Sequence, residues 1–218
     1  MEKTIENRIV DAATPIFAKC GFEHVTIKQL AQAAQSNIAA ISYYFGGKSA
    51  LYQVILENQF SPVLQLFQRR ESSTKITAAE RLIGYAEIIV ELKRKQPFLT
   101  PLWHYEIICH NTVNPIVKDY TAQLYRYVYA ALQQGISEKE FISDLQPHQT
   151  ALLLIELLHA PGIPVSLTAE YGPLTEDSNN DYTVQAFHHY LQGIRCTPLP
   201  ATTQMTSIKT ADFFVTVE

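Results

Sequence analysis

Between Val25 and Gly47 the sequence carries two helix-start signals eleven residues apart, room for one short helix, a tight turn and the opening of a second helix. Thr26 and Gln29 form a capping box, and Val25 and Leu30 occupy the two positions of a hydrophobic staple. The apolar pattern Ile27, Leu30, Ala31, Ala34 is then broken by Gln35-Ser36, and Asn37 offers a new N-cap for a helix from Ile38 to about Tyr44. Upstream, Ile5, Ile9, Ala12, Ala13, Ile16 and Phe17 at helical spacing predict a first helix over Ile5 to Cys20, stopped by Gly21. Pro15 removes the bond to the Asp11 carbonyl and should kink it.

The same grammar continues downstream, and strand signals are nearly absent before the last dozen residues, so the expected fold class is all-α. A fourth helix starts near Lys48 and bends or ends near Pro62. Thr77 and Glu80 cap a fifth running to about Lys95, Pro97 starts an aromatic segment with Trp103 and Tyr105, and Asn114-Pro115 opens a helix that Gly135 should end. Pro147 opens another through Leu158. A turn-rich stretch from Pro161 to Asp181 precedes a last helix with Phe187, Tyr190, Leu191 and Ile194 in a stripe. The division expected is 1–50, a unit of three short helices; 51–196, a larger helical unit; and 197–218, a Thr-rich tail.

Charge narrows the function. The 218 residues carry 17 Lys/Arg against 21 Asp/Glu, a net −4. Residues 1–50 hold five cations against four anions, so the positive end is the N-terminal one. No stretch reaches the ~18–20 apolar residues of a membrane span and the N-terminus is charged, so a cytoplasmic protein is expected. Cys20, Cys109 and Cys196 are odd in number and far apart, which fits reduced, buried thiols rather than a disulfide framework or zinc site.

Three short helices with a tight second turn are what a helix-turn-helix requires, the third lying in the major groove. If Ile41 and Phe45 face the core, then Asn37, Ile38, Ala39, Ser42 and Tyr43 face outward. Small residues permit close approach to bases, Ile38 and Ala39 can touch thymine methyls, and Ser42 can bond to base edges. Phosphate contacts would come from Thr26, Lys28, Tyr43, Tyr44 and Lys48. Periodicity alone leaves two readings open: a polar face on a small bundle, and a DNA reader.

The run Gly21 to Ala34, followed by Asn37 to Tyr52, resembles the DNA-binding signature of the TetR family, and the stretch leading to Phe17-Ala18 agrees with it. The wording from Ala39 to Lys48 is similar to the branch related to cephalosporin and chloramphenicol sensitivity regulators. Two departures stand out: Gln35 where the family usually has Gly, which requires a non-Gly residue at positive φ, and Ser42 where Tyr is commoner. The resemblance implies a ligand-responsive regulator, expected to be a repressor, that binds a palindromic operator as a dimer and is released by a small organic effector. Dimerisation would use the helices around 147–159 and 182–195. The effector would meet an aromatic cluster in which Trp103, His104 and Tyr125 are the candidates.

Rival readings are poorer. Gly47-Lys48-Ser49 copies the end of a phosphate-binding loop, but Ser42 stands where that loop needs Gly and a helix replaces the preceding strand. No catalytic constellation appears, so no enzyme is expected. The seven histidines show no i, i+4 pair, so neither metal nor cofactor is expected. A helical module that binds another protein without DNA is the remaining alternative.

Overall fold

The computed structural model describes residues 4–71, 76–109, 113–160 and 178–196. Among them are nine helices and one isolated antiparallel bridge, between Phe141 and Arg195, so the fold is all-α as expected. The helices are α1 (Ile5–Cys20), α2 (Ile27–Ala33), α3 (Ile38–Phe45), α4 (Lys48–Glu71), α5 (Ala78–Lys95), α6 (Leu99–Cys109), α7 (Pro115–Ser137), α8 (Pro147–His159) and α9 (Ser178–Gly193). The stretch 161–177 and the tail 197–218 lie outside the described residues.

The first three helices bury Ile9, Phe17, Leu30 and Ile41 against one another and against Leu51 and Tyr52 of α4. α4 leaves this head and enters a larger bundle, where α7 is central and packs on α4, α5 and α8. One contiguous apolar core therefore runs from Ile9 to Ile194 through α4.

Several boundaries differ from expectation for local reasons. α1 runs unbroken through Pro15, and Thr14 next to it donates to the Val10 carbonyl at 2.7 Å. α4 continues past Pro62 to Glu71, with Phe60, Val63 and Phe67 buried in the large bundle, so packing on both sides of the proline outweighs the lost bond. Gly135 does not end α7. It is glycine because the Phe141 ring lies where a Cβ would be, and the helix proceeds to Ser137. α9 starts at Ser178, ahead of the expected start at Tyr182. Its stripe of Phe187, Leu191 and Ile194 turns inward, with Phe187 and Leu191 fully buried within the protomer and Phe187 beside Tyr85 of α5. The cysteines are free, but all three are exposed rather than buried.

Glu140 ties the far end together. Its carboxylate accepts from the Ala78 backbone N–H at 2.9 Å, at the start of α5, and pairs with Arg195 at 2.8 Å, just past α9. Backbone bonds from Ile142 N–H to Ile194 O and from Cys196 N–H to Glu140 O complete the clasp.

Candidate nucleic-acid interface and adjoining cleft

The head owes its shape to its caps. At α2 the capping box is complete: the Gln29 N–H donates to Thr26 Oγ1 at 3.3 Å, and the Thr26 N–H donates to Gln29 Oε1 at 2.8 Å. The helix then ends on Gln35 at φ 49°, with Ser36 N–H on the Ala31 carbonyl and Gln35 N–H on that of Gln32. This is the positive φ that the Gln-for-Gly departure requires. Arg8 of α1 supports the turn, its guanidinium donating to the Ala34 and Gln35 carbonyls at 3.4 and 3.3 Å. Asn37 starts α3 by accepting from the Ala40 N–H at 2.7 Å, and Gly46 at φ 80° ends it.

Ile41 of α3 is fully buried, while Asn37, Ile38, Ala39, Ser42, Tyr43 and Tyr44 are exposed. Tyr43 is 83% exposed and Ile38 45%, high for large apolar or aromatic side chains, and Tyr44 meets the Tyr43 ring edge-on at 5.1 Å. Thr26 and Lys28 are also exposed. Lys48 is different: half-buried, its ammonium donates to the Phe22 and Val25 carbonyls at 2.9 and 3.0 Å and sits 4.1 Å from the centre of the Phe22 ring. Two of its three donors thus hold the turn between α1 and α2.

α6 docks the large bundle onto this head. The Tyr105 ring covers Gly21, which at φ 74° has no side chain to obstruct it, and the Tyr105 hydroxyl accepts from the Glu23 N–H at 3.2 Å. Next to it Glu106, almost fully buried, accepts from the Tyr52 hydroxyl at 2.8 Å and from the Asn114 N–H at 2.9 Å. Burial and then the Glu106 carboxylate push the Tyr52 hydroxyl well above its usual pKa, so it remains a donor. Asn114 reaches back to Gln53 of α4 at 2.7 Å. Tyr52 also packs on Phe17 and Phe22, ring centres 4.9 and 5.0 Å away, inside the head itself.

Behind this junction α6, α7 and α8 enclose an open cleft of about 680 Å³. Trp103 and Ile107 line it from α6, Thr121, Ala122 and Tyr125 from α7, and Leu152 and Ile155 from α8, with Lys118, Arg126 and Glu156 also in its walls. Trp103 and Tyr125, two of the three effector candidates, are therefore together. His104 meets the Trp103 ring edge-on at 5.0 Å but does not line the cleft, and burial lowers its pKa although Glu156 acts in the opposite sense. Deeper still, His159 donates Nδ1–H to the Ile155 carbonyl at 2.9 Å and accepts from the Tyr120 hydroxyl at Nε2 at 2.9 Å. Burial holds its pKa down at about 4, so it is neutral.

The head matches a known pattern: residues 9–55 fit the description of the bacterial regulatory proteins of the tetR family. Residues 9–55 carry the tetR-family domain. Among TetR-family and related regulators, the chain is 23% identical over 151 residues to the Probable HTH-type transcriptional regulator YttP of Bacillus subtilis, covering 68% of this chain and 72% of YttP. It is 33% identical over 88 residues to the HTH-type transcriptional repressor NicS of Pseudomonas putida, covering 40% of this chain and 39% of NicS. The fold is shared with the ketosteroid transcriptional regulator KstR2 of Mycobacterium tuberculosis (TM-score 0.72, 17% identity, 90% of this chain and 98% of that one). It is shared too with HlyIIR, a hemolysin II transcriptional regulator (TM-score 0.62, 20% identity, 84% and 96%). Residues 9–55 thus form a helix-turn-helix domain of the kind found in tetR-family regulatory proteins.

Sequence reasoning missed the roles of Arg8, Tyr105 and Glu106, because the partners that define them lie 26, 82 and 54 positions away. Of the cleft wall on α7 it found Tyr125 but missed Lys118, Thr121, Ala122 and Arg126. A signal was present there, since Lys118, Ala122 and Arg126 recur at i, i+4, i+8 and must share one face.

Proposed function

We propose that the protein is a ligand-responsive repressor: a homodimer reads a two-fold symmetric operator, and a small organic molecule in the α6–α7–α8 cleft releases it. In this reading residues 1–50 are the reading head and 51–196 the sensing and dimerisation unit. Asn37, Ile38, Ala39 and Ser42 meet base edges, while Thr26, Lys28, Tyr43, Tyr44 and the remaining donor of Lys48 meet phosphates. Such a protein works in the compartment that holds the DNA, the cytoplasm of a bacterium. Repression is supported by the name of the relative NicS.

The observation that carries the release mechanism is the double role of α6. One side of this helix presents Trp103 and Ile107 to the cleft, and the other presses Tyr105 on Gly21 and joins Glu106 to Tyr52. A ligand that favours a displaced α6 therefore also displaces the head, and the difference in its affinity for the two arrangements sets how far operator affinity falls. Dimerisation is supported by the side of α8 turned away from the cleft, where Leu153 is 48% exposed. Phe187 and Leu191, being spent inside the protomer, do not contribute to it.

Selection from randomised duplexes, followed by fluorescence anisotropy with the enriched duplex, tests the reading. A two-fold symmetric site bound by two protomers supports it. Enrichment of no sequence, or equal affinity for a scrambled duplex, refutes it.

A further inference from the structure

We infer that the α6–α7–α8 cleft takes an amphipathic anion, its apolar body against Trp103 and Ile155 and its anionic group held by Lys118 and Arg126. The inference rests on the cleft being the effector site, and adds the chemical class of the effector.

The floor determines the body. The Trp103 indole N–H donates to Thr121 Oγ1 at 2.8 Å, and the Thr121 hydroxyl donates to the Val117 carbonyl at 2.8 Å. The Tyr125 hydroxyl is engaged with His148 Nδ1 at 2.7 Å. The polar groups beneath the cleft are therefore committed to the protein, and a polar body buried there would leave its own groups unpaired. Thr121 and Ala122 are small enough to leave the space open between the larger side chains.

The walls determine the charge. Lys118 and Arg126 are eight residues apart on α7, about 12 Å along one face, and both are exposed. Neither makes a side-chain hydrogen bond or ion pair among the described residues, in contrast to Lys48, Lys93 and Arg195, which do. The facing Glu156 forms no ion pair with either cation, and its field falls on His104. A bound cation would meet two like charges and one opposite; an anion meets the reverse, beside an apolar wall where such attraction is screened less than in open water.

Trp103 is the only tryptophan in the chain, so its emission reports occupancy without a label. The probes are decanoate, decanol and decyltrimethylammonium, equal in tail and different in charge, titrated below their micelle-forming concentrations. Decanoate should shift Trp103 emission saturably and bind about tenfold more tightly than either of the others. Lys118→Glu with Arg126→Glu should weaken decanoate by about tenfold and strengthen decyltrimethylammonium, and the milder Lys118→Gln with Arg126→Gln should weaken decanoate less, both remaining helical by circular dichroism. Decanol or the ammonium binding as tightly as decanoate, decanoate indifferent to both double variants, or no saturable change with any probe would overturn the assignment. The same titrations with labelled operator separate the two ideas. Charge-dependent decanoate binding that leaves DNA bound refutes the effector role but keeps the ligand class; release by decanol without decanoate binding does the opposite.

Discussion

Lys48 answers to two demands, since its ammonium holds the Phe22 and Val25 carbonyls and still has a proton to offer a phosphate. Lys48→Ala should therefore lower stability by about 1–2 kcal/mol as well as reduce the salt slope of DNA binding by about one unit. Urea denaturation with an anisotropy salt series measures both, and an unchanged slope in the folded variant removes Lys48 from the phosphate contacts. His159 carries a pH prediction. Unfolded, its imidazole is protonated below about 6.5; folded, only below about 4. Between those values the unfolded chain binds more protons, so stability is complete above about pH 6.5 and falls as the pH drops towards 4, by on the order of 3 kcal/mol from this group. Burial shifts His104 and His188 in the same direction. Urea midpoints compared at pH 7.5 and pH 5 should differ less in His159→Gln than in the wild type, and equal slopes would refute the assignment.

Helix termini whose caps lie within four residues were legible in the sequence. The Thr26–Gln29 and Thr77–Glu80 boxes and the Asn37 cap follow from local chemistry, the positive φ at Gln35 follows from the family resemblance, and the structure has each of them. The outward face of α3 was legible for the same reason, because a helix of eight residues has few ways to bury one apolar side. What misled was punctuation whose meaning is tertiary. Pro62 reads as a stop but sits in a helix buried on both sides of it, and Gly135 reads as a stop but makes room for Phe141. The stripe on α9 reads as an interface, yet α5 and α8 already cover it. Two glycine substitutions test this reasoning. Gly135→Ala should destabilise by about 1–3 kcal/mol, through displacement of the Phe141 ring, despite alanine being the better helix former. Gly21→Ala, at φ 74° and under the Tyr105 ring, should also loosen the contact of α6 with the head, seen as faster hydrogen exchange at Glu23, whose N–H Tyr105 accepts. Exchange at Glu23 as slow as in the wild type would mean that Tyr105 does not hold the head.

At the scale of the whole molecule, a reading head and a cleft share one continuous core, and the junction between them is a few buried polar bonds around Glu106 rather than a flexible linker. That construction suits a device in which occupancy at one end is felt at the other. Reading DNA also needs two heads, because one eight-residue helix contacts few bases, whereas two heads spaced about 34–36 Å apart meet successive major grooves. In the proposed dimer, the face of α8 that carries Leu153 joins them. The most direct measurement is sedimentation velocity of the wild type and of Leu153→Glu, each alone and with the enriched duplex. The wild type should sediment as a dimer that takes up one duplex, and the variant as a folded monomer that no longer does so. A wild type that is monomeric at micromolar concentration and binds the duplex no better than the variant would contradict the dimeric reader.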